Sequence, residues 1–144
     1  MRPLFEKNLP DSFFLLTRIV SWDRQSLAAE ASFGSAPAWL LFEACAQAAA
    51  MHQRLLTDFC DHAFLLSAGS VPLGIPEVNG LCRAECFLGG SSGRAAVYTG
   101  VIHQEGTEIM RAEGLIIGHV PYGETFDGRR LAAHYREAAR WLTR

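Results

Sequence analysis

The chain has 144 residues, a formal net charge of -2, 49% hydrophobic residues and 19% charged residues. A chain of this length buries about two-thirds of its unfolded surface, so one domain spanning residues 1–144 is expected. Acidic and basic residues are scattered, which argues against nucleic acid or an anionic membrane surface as a partner. No apolar run reaches the roughly 18 residues of a membrane span, and no signal peptide is evident, so we expect a cytoplasmic protein without membrane insertion.

The cysteines are expected to be reduced and structural. One lies in a helical apolar pattern, and two flank a strand-like run. No second pair of Cys or His follows at zinc-site spacing, so neither a metal nor another cofactor is expected. The four are Cys45, Cys60, Cys82 and Cys86.

The first predicted element is a β-hairpin from Ser12 to Phe33. Aromatic and β-branched residues lie on both sides of a polar turn near Trp22 to Gln25. Such a pattern is typical of two short antiparallel strands joined by a tight connection.

A long helix is predicted from Pro37 to Leu56. Ser35 is its candidate N-cap, and Pro37 stands near the first helical position. The interior is rich in Ala, Leu, Met and Gln, and carries only Glu43 and Arg54 as formal charges. We therefore expect a helix that is buried on nearly all sides.

Four strand-length segments and an amphipathic helix complete the chain. The strands are predicted to form an antiparallel meander, and the terminal helix covers about residues 127–143. A hairpin, an apolar helix and a run of strands predict an α+β hot-dog fold, in which an antiparallel sheet wraps around a long central helix. Pairing of edge strands across a two-fold axis would give a dimer. The four segments are HAFLLSAGSVPL, VNGLCRAECFLGG, RAAVYTGVIHQ and TEIMRAEGLIIGHV.

Glu43 is the candidate catalytic residue. It is a carboxylate within an apolar stretch of the predicted helix, where burial without a partner is costly. A carboxyl group in such surroundings suits general acid/base catalysis. The alternative is that Glu43 faces solvent or a dimer interface and pairs with an arginine.

The segment PAWLLFEACAQAAA, Pro37 to Ala50, resembles the start of the central helix in FabA/FabZ-type 3-hydroxyacyl-carrier-protein dehydratases. In that family a Pro and a small residue precede an apolar stretch, an acidic residue and a small-x-Ala-Gln step. The upstream LPDSFFLLTRIVSW, Leu9 to Trp22, resembles the family's N-terminal segment. The matching helix positions are Pro37, Ala38, Glu43, Ala46, Gln47 and Ala48.

The resemblance implies a lyase of fatty-acid or polyketide-type lipid synthesis that acts on acyl-carrier-protein or CoA thioesters. Glu43 would be the acid/base carboxylate, and Gln47 would orient it. The amide near Ala38 or Trp39 would polarise the thioester carbonyl. Trp39 and Phe42 would contact the acyl chain, as part of an aromatic lining whose other candidates are Phe13, Phe14, Phe59 and Phe64; core packing is the alternative role for each.

The loop before the helix departs from the family pattern. The family's catalytic histidine lies in a Gly-, His- and Pro-containing loop, whereas Ser32 to Ala38 contains no histidine, and Asp11 occupies the other position where relatives carry one. The short loop is similar to that of dehydratase-like subunits from aryl-polyene and related polyketide-type clusters. A homodimer or a heterodimer with another hot-dog protein follows from this similarity. A non-catalytic acyl-binding subunit that pairs with an active paralogue, and an acyl thioesterase, are the alternative functions.

Other histidines are poor substitutes within one chain. His52 is nine residues past Glu43 and therefore on the opposite helix face. His62 and His103 could reach a dimer interface, and His119 and His134 are expected to be structural. The arginines of the terminal helix either bind an acidic carrier protein or form a solvated face: Arg129, Arg130, Arg136 and Arg140.

Overall fold

The computed structural model describes residues 14–123 and 126–144, with backbone only at position 126. The predicted hairpin, long helix, later strands and terminal helix are all present. Parts of the segment Leu9 to Trp22, including Asp11 and Phe13, lie outside the described residues. The elements are β1 (Leu16–Trp22), β2 (Ser26–Ala36), α1 (Ala38–Leu56), β3 (Asp61–Ser67), β4 (Val78–Ser91), β5 (Ala95–Gln104), β6 (Thr107–Pro121) and α2 (Phe126–Leu142).

The six strands form one antiparallel sheet in the order β1-β2-β4-β5-β6-β3. The predicted meander is correct for β4, β5 and β6. It is wrong for β3, which pairs with β6 across the sheet while residues 68–77 carry the chain to β4 beside β2. The sheet curls so that α1 contacts all six strands. This is the predicted α+β arrangement of an antiparallel sheet wrapped around a central helix.

Helix α1 begins at Ala38, and Pro37 is its N-cap residue. Pro37 has an extended backbone and makes no side-chain capping hydrogen bond, because its side chain carries no acceptor. The prediction that Ser35 is the N-cap is wrong. Ser35 has a positive φ of 53°, and its N–H donates to Asn79 Oδ1 over 2.7 Å. Asn79, in β4, therefore holds Ser35 near the end of β2, just before the helix begins.

The expectation that α1 is buried on nearly all sides holds for its second half. There even the polar residues His52, Gln53 and Arg54 are buried. The first turns differ, because Trp39 is 55% exposed and Glu43 is half-buried. The one exposed side chain of α1, that of Trp39, thus lies in the first turn.

Helix α2 contacts β1 and β3, the two edge strands of the sheet. Its buried face includes Ala139 and Leu142, which join the main core. The terminal helix thus matches the predicted amphipathic segment. No described helix is both long and apolar enough to cross a membrane.

The four cysteines are unpaired. Cys45, Cys82 and Cys86 are buried, and Cys60 is exposed. Burial raises the pKa of the Cys86 thiol to about 12, so this thiol stays protonated and packs as a small apolar side chain.

Candidate functional site

Glu43 and Gln47 are joined on one face of α1. They are one turn apart, and Gln47 Nε2 donates a hydrogen bond to Glu43 Oε1 over 3.2 Å. The N–H of Leu15 donates to Gln47 Oε1 over 2.8 Å. Because a backbone N–H can only donate, the Gln47 oxygen must face Leu15 and its amino group must face Glu43. This chain of bonds fixes Glu43 as a hydrogen-bond acceptor.

Both members of this pair are half-buried. Phe14, Leu15 and Phe42 are partly buried and pack against the hydrophobic core. Within the described part of the chain, no arginine forms an ion pair with Glu43. The carboxylate instead lies at the border between the core and solvent, with an amide as its partner.

The start of α1 lies on the same stretch of helix. Ala38 is buried and Trp39 is exposed. The N-cap residue Pro37 makes no side-chain capping hydrogen bond, and the amide of Ala38 is about 7.5 Å from Glu43 along the helix axis. The positive end of the helix dipole therefore lies within about two turns of the carboxylate. A ligand carbonyl at this end and a proton transferred to Glu43 would lie within the span of one small acyl group.

His52 is part of a buried network away from Glu43. Its Nε2 lies 2.7 Å from the carbonyl oxygen of Asp23, and its Nδ1 lies 2.6 Å from Tyr98 Oη. Gln53 Nε2 also donates to Tyr98 Oη over 2.7 Å. Since a carbonyl only accepts, His52 carries its proton on Nε2 and accepts from Tyr98 at Nδ1. Burial lowers the pKa of His52, so it is a neutral structural residue.

The other histidines also lie apart from Glu43, and none in the described segments is hydrogen-bonded to it. His119 Nδ1 lies 2.8 Å from Asp61 Oδ2. His103 Nδ1 lies 3.5 Å from Glu85 Oε1, in an open cleft of about 390 Å³ on β2, β4 and β5. His62 and His134 lie near Arg54, which lowers the pKa of each in addition to the larger effect of burial.

The remaining predicted contact residues fall into two groups. Phe14 and Phe42 flank the Glu43 region from the edge of the core, whereas Phe59 is buried in it. On α2, Arg136 donates to the carbonyl of Asp58, and Arg140 pairs with Glu137. The sequence prediction missed the part played by Leu15, because a contact across 32 residues leaves no periodic signal in the sequence.

No protein-family model matches this chain, and no curated protein does. Solved structures are similar in fold. The dehydratase heterocomplex ApeI:P from Xenorhabdus doucetiae has a TM-score of 0.61 at 15% identity, covering 90% of this chain and 99% of that chain. A variant thioesterase from Pseudomonas aeruginosa has a TM-score of 0.60 at 15% identity, covering 72% and 81%.

A thioesterase from Haemophilus influenzae has a TM-score of 0.59 at 13% identity, covering 75% of this chain and 80% of that chain. At such identities the similarity establishes the fold and leaves the reaction open. Six antiparallel strands curled around α1 are the feature that this chain shares with these proteins. We conclude that the chain has the hot-dog fold.

Proposed function

We propose that this chain is a 3-hydroxyacyl-thioester dehydratase-like protein of lipid synthesis, with Glu43 as its acid/base group. The supporting observation is the hydrogen-bonded chain from Leu15 through Gln47 to Glu43. It positions a half-buried carboxyl group near the N-terminus of α1, where the N-cap residue Pro37 makes no side-chain hydrogen bond. The substrate would be carried as an acyl-carrier-protein or CoA thioester in the cytoplasm.

The proposed reaction needs a proton acceptor and a site for negative charge. The thioester oxygen would accept a hydrogen bond from the amide of Ala38, which stabilises the charge that develops there. Glu43 would take the proton from C2, and the double bond would form between C2 and C3 as the C3–O bond breaks. The protonated Glu43 would return the proton to the departing hydroxyl, giving water and a 2-enoyl thioester.

One carboxylate can perform both proton transfers when the proton and the hydroxyl leave from the same face of the substrate. Gln47 would keep the carboxylate oriented throughout, because its own amide is fixed by Leu15. Trp39 and Phe42 would contact the acyl chain beside the helix N-terminus. The arginines of α2 would face an acidic carrier protein.

Thioester hydrolysis is the second candidate. An acceptor carboxylate without a hydrogen-bonded histidine in the described chain is equally suited to take a proton from water, which would then attack C1. The C1–S bond would break, and the sulfur would take the proton from Glu43 and leave as a free thiol, which regenerates the carboxylate. Similar solved structures that are thioesterases favour this alternative.

The third candidate is that this chain is a subunit that pairs with a second hot-dog protein. The heterocomplex ApeI:P is similar to this chain over nearly all of its own length. Pairing with a second hot-dog protein would allow the partner to supply the catalytic histidine that the loop before α1 lacks. In a homodimer, both copies would depend on Glu43 alone or on a histidine from the opposite subunit.

The reaction is tested by assaying the protein, alone and co-expressed with any hot-dog protein encoded beside it, on 3-hydroxyacyl and acyl thioesters. Mass spectrometry separates the two reactions, because dehydration removes water from the thioester and hydrolysis releases a free thiol. We expect Glu43→Gln to lower kcat about 100-fold or more, since it removes the proton acceptor. The control Glu137→Gln, on the exposed face of α2, should leave kcat unchanged.

Gln47→Leu is expected to lower kcat about tenfold with a smaller effect on KM. The Glu43 carboxylate would still be present as the acid/base group, but Gln47 would no longer orient it. Release of free thiol without loss of water would favour the thioesterase. If neither product exceeds background with any partner, or if Glu43→Gln leaves the rate unchanged, the enzymatic proposals are wrong and a non-catalytic subunit remains.

A further inference from the structure

Arg54, in the last turn of α1, is a buried cation that no acidic side chain neutralises among the residues described. Only 6% of it is exposed. Its Nη2 donates to the carbonyl oxygen of Ala63 over 2.7 Å, and its guanidinium lies over the Tyr135 ring at 3.6 Å. Its buried Nε–H has no hydrogen-bond partner. A buried charge that lacks a counter-charge is costly to keep in a folded protein, so this arrangement calls for an explanation.

Two further buried polar atoms lie beside Arg54. His62 Nδ1 has no hydrogen-bond partner, and Tyr122 Oη interacts with Arg54 without forming a hydrogen bond of good geometry. The rings of these two residues are 5.4 Å apart, and the positive charge of Arg54 acts on the pKa of both. In the described ranges, four buried side-chain nitrogen or oxygen atoms have no hydrogen-bond partner, and three of them belong to this cluster. Native proteins leave few such atoms unpaired, so their concentration at one place points to a missing acceptor.

Each of the three groups can donate a hydrogen bond. The guanidinium Nε–H and the phenol O–H are donors, and a neutral histidine can carry its proton on Nδ1. A cation would be repelled by Arg54, and a purely donating ligand would leave the guanidinium Nε–H, which can only donate, unsatisfied. The complementary ligand is an anion with several oxygen acceptors.

We propose that Arg54, His62 and Tyr122 form a binding site for a small oxyanion of the phosphate or carboxylate class. Arg54 lies about 16 Å from Glu43 along the helix axis, so the two sites are separate. The oxyanion site joins the C-terminal end of α1, the start of β3, the end of β6 and, through Tyr135, helix α2. A bound oxyanion would therefore fasten α2 to the body of the protein.

The test measures Tm in anion-poor buffer while inorganic phosphate or acetate is added, with sodium chloride keeping the ionic strength constant. At about ten times the dissociation constant, a specific oxyanion should raise the Tm of the wild-type protein by about 4 °C. Arg54→Met should abolish this rise and, without added oxyanion, should be at least as stable as the wild type. Arg94→Met removes an exposed arginine and should keep the full response.

Tyr122→Phe keeps the charge, removes one donor and should weaken oxyanion binding about tenfold. A response to phosphate alone, or to acetate alone, identifies the ligand class, and either supports the site. The proposal is overturned if neither anion raises the wild-type Tm above that of Arg54→Met. If Arg54→Met does not fold, an unchanged dissociation constant in Tyr122→Phe overturns it as well.

Discussion

At the scale of single residues, Tyr98 is the centre of the buried polar network. Its hydroxyl accepts a hydrogen bond from Gln53 and donates one to His52. Burial raises the pKa of Tyr98, so the hydroxyl keeps its proton and its role as a donor. The network joins the middle of α1 to β5 and to the turn at Asp23, where His52 donates to the backbone carbonyl.

Tyr98→Phe should lower the free energy of unfolding by about 2 kcal/mol, because it leaves buried groups of His52 and Gln53 without partners. Tyr122→Phe is the matched control: its buried hydroxyl interacts with Arg54 but forms no hydrogen bond of good geometry, so its removal should be close to neutral in buffer without oxyanion. Urea denaturation of both variants checks the contrast. Equal losses of stability would contradict the conclusion that the hydroxyl of Tyr98 stabilises the fold and that of Tyr122 does not.

The candidate site was predictable where its residues are neighbours on one helix. Glu43 and Gln47 are four residues apart, and helical spacing alone places them on one face. The bond from Leu15, which decides the polarity of the Gln47 amide, comes from β1 and its flanking chain and depends on tertiary packing. For the same reason, nothing in the sequence indicated that Arg54 would be buried without an acidic partner.

At the scale of elements, α1 lies close to β5 at Gly100. A Cβ atom on Gly100 would lie 2.7 Å from Cys45 Cβ and 2.9 Å from Cys45 Sγ. The Cys45 side chain already fills the space beside Gly100, so the absence of a side chain at this glycine lets the helix lie close to the sheet. The closeness is maintained by the small residues that dominate the buried face of α1.

Gly100→Ala should therefore lower the free energy of unfolding by about 2 kcal/mol or more, since helix and strand must separate. Gly93→Ala, in the β4–β5 connection with open space around it, should stay within about 0.5 kcal/mol of the wild type. Thermal unfolding followed by circular dichroism measures both. A Gly100→Ala variant as stable as Gly93→Ala would show that α1 can move away without cost.

The elements themselves were largely predictable, because hydrophobic periodicity is a local property. Turn residues also marked the ends of the strands in the sequence. The order of the strands was harder: β3 follows α1 directly but pairs with β6, and no local signal specifies a partner so distant. The wrong N-cap at Ser35 has a similar origin, because Asn79 of β4 takes the hydrogen bonds that a cap would make.

At the scale of the whole molecule, burial makes stability depend on pH. Burial lowers the pKa of His52, His62 and His134 below the usual value of 6.5, so the unfolded chain binds protons more readily than the folded chain. The contribution of these neutral histidines to the free energy of unfolding is fully present above pH 6.5. It is lost as the pH falls from 6.5 towards their lowered pKa values in the folded state.

We expect the free energy of unfolding to be level above pH 6.5 and to decline between about pH 6.5 and 5.5, before most carboxylates titrate. His52→Gln removes one of the three groups and should make this decline shallower. Urea unfolding at a series of pH values is the measurement. A profile that stays level down to pH 5.5, or a His52→Gln profile as steep as that of the wild type, would contradict the linkage.

The pairing of β3 with β6 also affects how the chain can fold while it is synthesised. β6 is completed roughly 50 residues after β3, which at about 5–20 residues per second leaves β3 without its partner for roughly 3–10 s. During that interval Phe64, Leu65 and Leu66 form an apolar strand with an open edge on the nascent chain. We therefore expect the yield of folded protein to depend on translation speed and chaperone supply as well as on equilibrium stability.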